Sequence, residues 1–190
     1  MQLVFATHNK NKFKEVKAQL PASIQLLSLD DIGCHEDIEE TADTIEGNAA
    51  LKANYVRDKY GVHCFADDTG LEVDALNGAP GVYSARYAGP ENDSQANMEK
   101  LLSAMNGVTD RRARFKTAIA LSMDDNQEMF LGICEGQIIP KKRGGKGFGY
   151  DPIFQPTGYD RTFAEMSIEE KSRISHRGKA MQQLIEFLSE

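Results

Sequence analysis

Short apolar runs alternate with amphipathic stretches through the first half of this chain. Residues 3–6 (Leu-Val-Phe-Ala) read as a buried strand, and 7–11 as a polar loop. Phe13, Val16 and Leu20 then recur at helical spacing, and Pro21 stops that helix. Residues 24–29 predict a second strand, and 30–43 are acidic and irregular. A longer helix is expected over 44–60, where Ala49, Ala53, Val56 and Tyr60 stay in register and Gly61 closes it. The run 62–66 predicts a third strand, ending in a turn at Asp67-Asp68-Thr69-Gly70. Asp93 or Ser94 caps a helix that carries Met98, Leu101, Leu102 and Met105, with Gly107 as its stop. Beyond it the period changes to two. Ala113, Phe115, Thr117, Ile119 and Leu121 alternate with Arg112, Arg114 and Lys116, and Asp124-Asp125-Asn126 turns the chain into a partner strand at 128–135. Residues 140–149 form a basic, Gly-rich loop and 152–154 are extended. Ser167-Ile-Glu-Glu170 is a capping box opening a short helix, and a last helix from about Ser175 carries Ala180, Leu184 and Phe187. The order β-α-β-α-β-α, hairpin, helices predicts an α/β protein with a mixed β-sheet.

Composition narrows the function. The 190 residues suit one domain spanning 1–190, which buries roughly 70% of its unfolded surface. A net charge of −7 argues against a nucleic-acid surface, yet a local basic cluster still allows a phosphate ligand. Cys34, Cys64 and Cys134 are widely spaced and odd in number, which fits reduced thiols in the cytoplasm rather than a disulfide or zinc framework. The opening Met-Gln-Leu-Val-Phe-Ala lacks the basic region of a signal peptide. Nothing approaches the ~20 apolar residues of a membrane span.

Four constellations could carry chemistry. Asp67 and Asp68 follow an apolar run, where oxygen ligands suit Mg2+ and phosphate. If the backbone stays extended there, the two side chains face opposite ways, one towards a site and one inward. Glu39-Glu40 could supply a second carboxylate to the same ion. Thr7-His8-Asn9-Lys10-Asn11-Lys12 lies between a strand and a helix N-terminus, a setting that favours anions. It is not a Walker A loop, since G-x-x-x-x-G-K-[ST] is absent. Gly147-Phe148-Gly149-Tyr150-Asp151 runs into Pro152 rather than a helix, so it reads as a flexible loop offering rings for stacking on a base, not as a dinucleotide fingerprint. Lys171 and Ser175-His176-Arg177 add hydrogen-bond donors near a helix start.

At this point the chain resembles the inosine triphosphate pyrophosphatases. The matching segments are Ala6–Lys12, Asn48–Ala53, Ala66–Leu71, Gly78–Arg86, Gly147–Pro152 and Ser175–Arg177, in the family's order across nearly the whole chain. The resemblance implies an elongated mixed α/β fold with two lobes around a central nucleotide-binding cleft, a homodimer and a need for Mg2+. It implies cleavage of ITP, dITP or XTP to the monophosphate and pyrophosphate. Carried over by position, Thr7, His8, Asn9, Lys10, Asn11 and Lys12 hold the triphosphate with help from Lys52. Asp68 binds metal and accepts a proton from the attacking water, and Glu39 is the second metal ligand, with Glu40 adjacent to it. Thr69, Phe148, Gly149, Tyr150, Asp151, Lys171, His176 and Arg177 contact the substrate, with Arg177 or His176 reading a 6-carbonyl. Two departures stand out: Thr69 replaces the family's usual Ser, and Gly47 replaces a Glu. Rival readings are a pyrophosphatase for other modified nucleotides and a nucleotide-binding module without catalysis.

Overall fold

In the computed structural model, which describes residues 1–189, the chain runs β1 (Gln2–Phe5), α1 (Lys10–Lys17), β2 (Gln25–Leu27), α2 (Ile45–Tyr60), β3 (Cys64–Val73), β4 (Pro80–Gly81), α3 (Ser94–Ala104), β5 (Arg112–Met123), β6 (Asn126–Ile138), β7 (Phe154–Pro156), α4 (Ile168–Ile174) and α5 (His176–Phe187). The sheet order is β2-β1-β3-β5-β6-β7, with β4 added to β3. β1 is parallel to both β2 and β3, whereas β4 on β3 and β7 on β6 are antiparallel. The fold is thus α/β with a mixed sheet and flanking helices, as the element order predicts.

Helix boundaries follow the capping chemistry. Asn9 starts α1 by accepting from the amides of Asn11 (3.0 Å) and Lys12 (3.1 Å). Thr44 caps α2, and the Gly61 amide closes it on the Arg57 carbonyl at 2.8 Å. Of the two candidate caps of α3, Asp93 is the one that accepts. Ser167 and Glu170 form the expected capping box of α4.

One expectation fails. The third strand does not end at Ala66 in a turn: β3 runs on through Asp67, Asp68, Thr69 and Gly70 to Val73. Buried charge broke the apolar run without breaking the strand. Gly70 marks the reason the strand can continue, since a Cβ there would lie 2.8 Å from the Gly81 carbonyl oxygen of the neighbouring β4.

The chain divides into two compact units. Unit 1 comprises Met1–Asp68, Thr117–Gly132 and Arg177–Glu190. Its core joins Leu3, Phe5, Val16 and Phe65 to Ile119, Leu121, Ala180 and Leu184, and the rings of Phe5 and Phe65 stack at 4.6 Å. Unit 2 comprises Thr69–Lys116 and Ile133–His176. Its core gathers Leu71, Val73, Leu101, Met105 and Phe115 with Ile138, Ile153, Phe154 and Phe163. All three cysteines are buried and unbridged. Among the described residues no helix is long and apolar enough to cross a membrane.

Candidate active site

Unit 1 concentrates charge around β3. Because β3 is extended at Asp67-Asp68, the two carboxylates leave on opposite faces, and their surroundings differ accordingly. Asp67 Oδ1 accepts from Lys12 Nζ (3.0 Å) and Oδ2 from Arg177 Nε (2.9 Å). Arg177 Nη1 donates onward to Glu15 Oε2 at 2.6 Å. Arg177 and Asp67 are each 1% exposed, whereas the Lys12 side chain keeps 14%, so the network is buried except at its lysine end. Burial alone would raise the Asp67 carboxyl, but Lys12, Arg177 and Lys52 together hold it well below the usual carboxylate range. Asp68 behaves oppositely. Desolvation, aided by the like charges of Glu40 and Asp67, pushes its carboxyl up despite Lys52 and Lys12.

Lys52, on the inner face of α2, donates to Glu40 Oε1 (2.5 Å) and to the Asp67 carbonyl (2.8 Å). Burial opposes its charge, but Asp68, Glu40 and Asp67 raise its pKa above the ordinary lysine value. Burial draws the Lys12 ammonium below its ordinary value, with Asp67 offsetting and Lys52 and Arg177 reinforcing. The loop before α1 is closed on itself, since Thr7 Oγ1 accepts the Asn9 amide at 3.1 Å and Asn9 takes those of Asn11 and Lys12. Lys10 is exposed, and His8 Nε2 donates to the Glu36 carbonyl at 3.0 Å.

Of the residues expected to act, unit 1 therefore holds Thr7–Lys12, Glu39, Lys52, Asp68 and Arg177. Glu39 is exposed, whereas its neighbour Glu40 meets Lys52 and is coupled electrostatically to Asp68. One network member was not expected. Glu15 is 6% exposed, yet in sequence it is one polar residue beside Val16, and its partner lies 162 residues away. Glu40 was the sequence alternative to Glu39, and the structure sets its carboxylate against Lys52. Among the described residues, no group of three or more His, Cys, Asp or Glu is placed to hold a metal ion. Asp68 and Glu40 are hard oxygen donors, and two carboxylates suit Mg2+, which takes its other ligands from water and phosphate.

Unit 2 holds Thr69, Phe148, Gly149, Tyr150, Asp151, Lys171 and His176. Lys171 Nζ donates to Asp151 Oδ2 at 2.7 Å, with both side chains 4% exposed. The ammonium lies over the rings of Phe148 (4.8 Å) and Phe163 (5.4 Å). Asp151 Oδ2 also accepts the Phe148 amide at 3.1 Å, which folds loop 147–151 back on itself. That fold demands Gly147: its φ is +68°, and a Cβ there would stand 2.1 Å from Asp151 Oδ2. The Tyr150 hydroxyl donates to the Ser84 carbonyl at 2.6 Å. His176 stacks on Phe115 at 4.5 Å and is 3% exposed. The result is an aromatic frame around one buried cation–carboxylate pair.

A model of the Ham1 family matches residues 3–187. A dITP/XTP pyrophosphatase of Christiangramia forsetii is 63% identical over 189 residues, covering all of both chains. The structure of the Staphylococcus aureus Ham1 protein superposes with a TM-score of 0.90 at 42% identity, over 100% of this chain and 98% of that one. The nucleoside-triphosphatase / dITP/XTP pyrophosphatase of Mycobacterium abscessus gives 0.78 at 40% identity, over 97% and 99%.

Proposed function

The chain belongs to the Ham1 family and is a nucleotide pyrophosphatase, and from that footing we propose that it hydrolyses ITP, dITP and XTP to the nucleoside monophosphate and pyrophosphate. The observation that carries the chemistry is the contrast within Asp67-Asp68. A carboxylate clamped by two cations is a poor proton acceptor. Asp68, on the opposite face of the extended strand and drawn upward by burial, is the better proton acceptor of the two. Asp68 takes the proton of the water that attacks the α-phosphorus. Lys12 and Lys52 offset the charge that builds on the leaving pyrophosphate. Asp67, through Lys12 and the Lys52 contact to its carbonyl, holds both ammonium groups at fixed places.

Asp68 with a glutamate of the 39–40 pair would hold Mg2+, and Glu40 is favoured over Glu39 by its contact with Lys52. The ion, when bound, adds charge neutralisation on the phosphates. In unit 2, Phe148 offers a face for the purine, while Lys171 and His176 supply donors suited to a 6-carbonyl. They oppose the 6-amino group of adenine, and an unmatched buried polar group costs about 1–3 kcal/mol. Arg177, whose Nε and Nη1 donate to Asp67 and Glu15, stands beside His176 in sequence, and the two remain the candidates for reading that carbonyl. Family likeness supports a homodimer, and the three unbridged cysteines support a cytoplasmic setting.

The test is pyrophosphate release from dITP, XTP, dGTP and ATP with and without Mg2+. The expected result is turnover of dITP and XTP only with the metal, and ATP slower by about ten-fold or more. Binding of dITP without hydrolysis would make the protein a binding module. A preference for methylated pyrimidine triphosphates would move it to another substrate class.

A further inference from the structure

Residues 34–44, which carry Glu39 and Glu40, form no helix or strand. Such a stretch holds a carboxylate in place only if other contacts remove its conformational freedom. Here it runs antiparallel along α2 and meets it at four levels. The Glu36 carboxylate accepts from the hydroxyls of Tyr55 (2.8 Å) and Tyr60 (2.9 and 3.1 Å) and from the Lys59 ammonium (2.5 Å). Glu40 meets Lys52. The Ala42 amide donates to Asn48 Oδ1 at 2.9 Å, and Thr44 Oγ1 accepts the Gly47 amide at 3.0 Å. Positions 36, 40, 42 and 44 thus match helix positions that fall from 55–60 through 52 and 48 to 47. The approach is tight: a Cβ on Gly47 would stand 2.7 Å from that of Ala42.

Glu36 is the far anchor of this run. The helix rises about 1.5 Å per residue, so Lys52 and the Tyr55–Tyr60 level lie roughly 5–12 Å apart along α2, while four extended residues reach at most about 14 Å. Fixing Glu36 therefore bounds how far Glu40 can stray from Lys52. The Glu36 carbonyl also accepts from His8 Nε2 at 3.0 Å, so the same residue steadies the loop that leads into α1, the helix that carries Lys12. The chemistry proposed above makes no use of Glu36, Tyr55, Lys59 or Tyr60.

We infer that Glu36 is a positioning residue: by pinning segment 36–40 to the Tyr55–Lys59–Tyr60 end of α2, it sets Glu40 beside Lys52 for the divalent cation. This rests on the metal reading above. Glu36 stays charged throughout the working range, because the Lys59 ammonium, its own backbone and the two tyrosine hydroxyls hold it far below the usual carboxylate range.

The test titrates Mn2+ alone into wild type, E36A, E36Q and the double variant Y55F/Y60F, followed by calorimetry. E36A should weaken Mn2+ binding about ten-fold, the lower end of what partners that orient metal ligands are worth. E36Q and Y55F/Y60F should fall between it and wild type. The half-activating Mg2+ concentration with dITP should move by the same factor, while kcat at saturating metal stays within about two-fold. Amide exchange over residues 37–43 should quicken in E36A. If the Mn2+ affinity of E36A stays within about two-fold of wild type, whatever happens to its melting temperature, the inference is overturned. If E36A does not fold, Y55F/Y60F carries the same test with the Glu36 charge intact, and unchanged affinity there overturns it equally. Wild type that takes up no Mn2+ and turns over dITP without a divalent cation would instead sink the metal reading, and this inference with it, before any variant is compared.

Discussion

Unit 1 and unit 2 bury charge in different ways. In unit 1, Lys12, Glu15, Asp67 and Arg177 form a chain of alternating sign, and Lys52 ties it to Glu40. In unit 2, Lys171 and Asp151 are enclosed by Phe148, Phe163 and the aromatic floor that includes Phe115 and His176. An alternating network sets pKa values and holds cations where a polyanion needs them. A lone pair inside rings does neither well, but it presents a fixed donor beside surfaces that favour a flat, weakly polar ring. Under the proposed function, the difference assigns proton and phosphate chemistry to the first unit and base selection to the second.

The sharpest way to break this comparison is to remove one charge at a time from β3. Asp68→Asn should cut kcat about 10²- to 10⁴-fold, the range for loss of a general base. It should also raise the melting temperature of metal-free protein. Burial lifts the Asp68 carboxyl above its unfolded value, so the native state binds the proton more tightly. Stability from that source is present at low pH and is lost as pH rises through the raised value; Asn removes the loss. Asp67→Asn should do the reverse to stability, lowering it by about 3–5 kcal/mol, because Lys12 and Arg177 are left buried without their shared partner. The Asp67 carboxyl is depressed, so its stabilisation is present above the ordinary carboxylate pKa and fades as pH falls through and below it. Thermal melts of both variants from acid to neutral pH check the signs. Two variants that shift stability in the same direction would erase the distinction drawn between these neighbours.

A smaller effect is expected in unit 2. Phe148→Ala removes a stacking face worth about 1–3 kcal/mol per base, so KM for dITP should rise roughly ten- to hundred-fold while kcat changes less. It also removes one ring from beneath the Lys171 ammonium. Steady-state kinetics with dITP decide the matter. A fall in kcat at unchanged KM would place Phe148 with the chemistry of unit 1 instead.

What the sequence made legible divides along the same line of local against distant cause. Helices α1 to α5 and the β5–β6 hairpin follow from periodicity and caps, which act over a few residues; Asn9, Thr44 and Ser167 cap as their residue types suggest. The extent of β3 was not legible, because the reason Asp67 can be buried mid-strand is Arg177, 110 residues away. Glu15 was hidden for the same reason. The Phe148–Asp151 loop reads from sequence as flexible with two rings on offer; the structure instead buries Tyr150 and closes the loop on the Asp151 carboxylate, which needed the Gly147 contact. That Glu40 rather than Glu39 meets Lys52 turned on the path of an irregular loop along α2, and no periodicity encodes such a path.

That path supplies the smallest and most discriminating prediction. On helix propensity alone, Gly47→Ala in α2 should stabilise by about 1 kcal/mol. The structure opposes this, since the new Cβ would stand 2.7 Å from Ala42 Cβ and 3.0 Å from Thr44 Oγ1. Neither is the loose end of a long side chain, and overpacking of this kind costs about 1–3 kcal/mol. The clash outweighs the propensity, so the net effect is a loss of about 1 kcal/mol, read as a lower melting temperature. The loop must back away from α2, which strains the Ala42 amide bond to Asn48 and moves Glu40 as well, so Mn2+ affinity should weaken alongside. Ala42→Gly reopens the space. In the double variant the propensity gain should survive without the clash, leaving G47A/A42G more stable than G47A, with a coupling that a double-mutant cycle isolates. If Ala42→Gly rescues nothing, the loop does not lie against α2 as described, and the route by which Glu36 positions Glu40 loses its track.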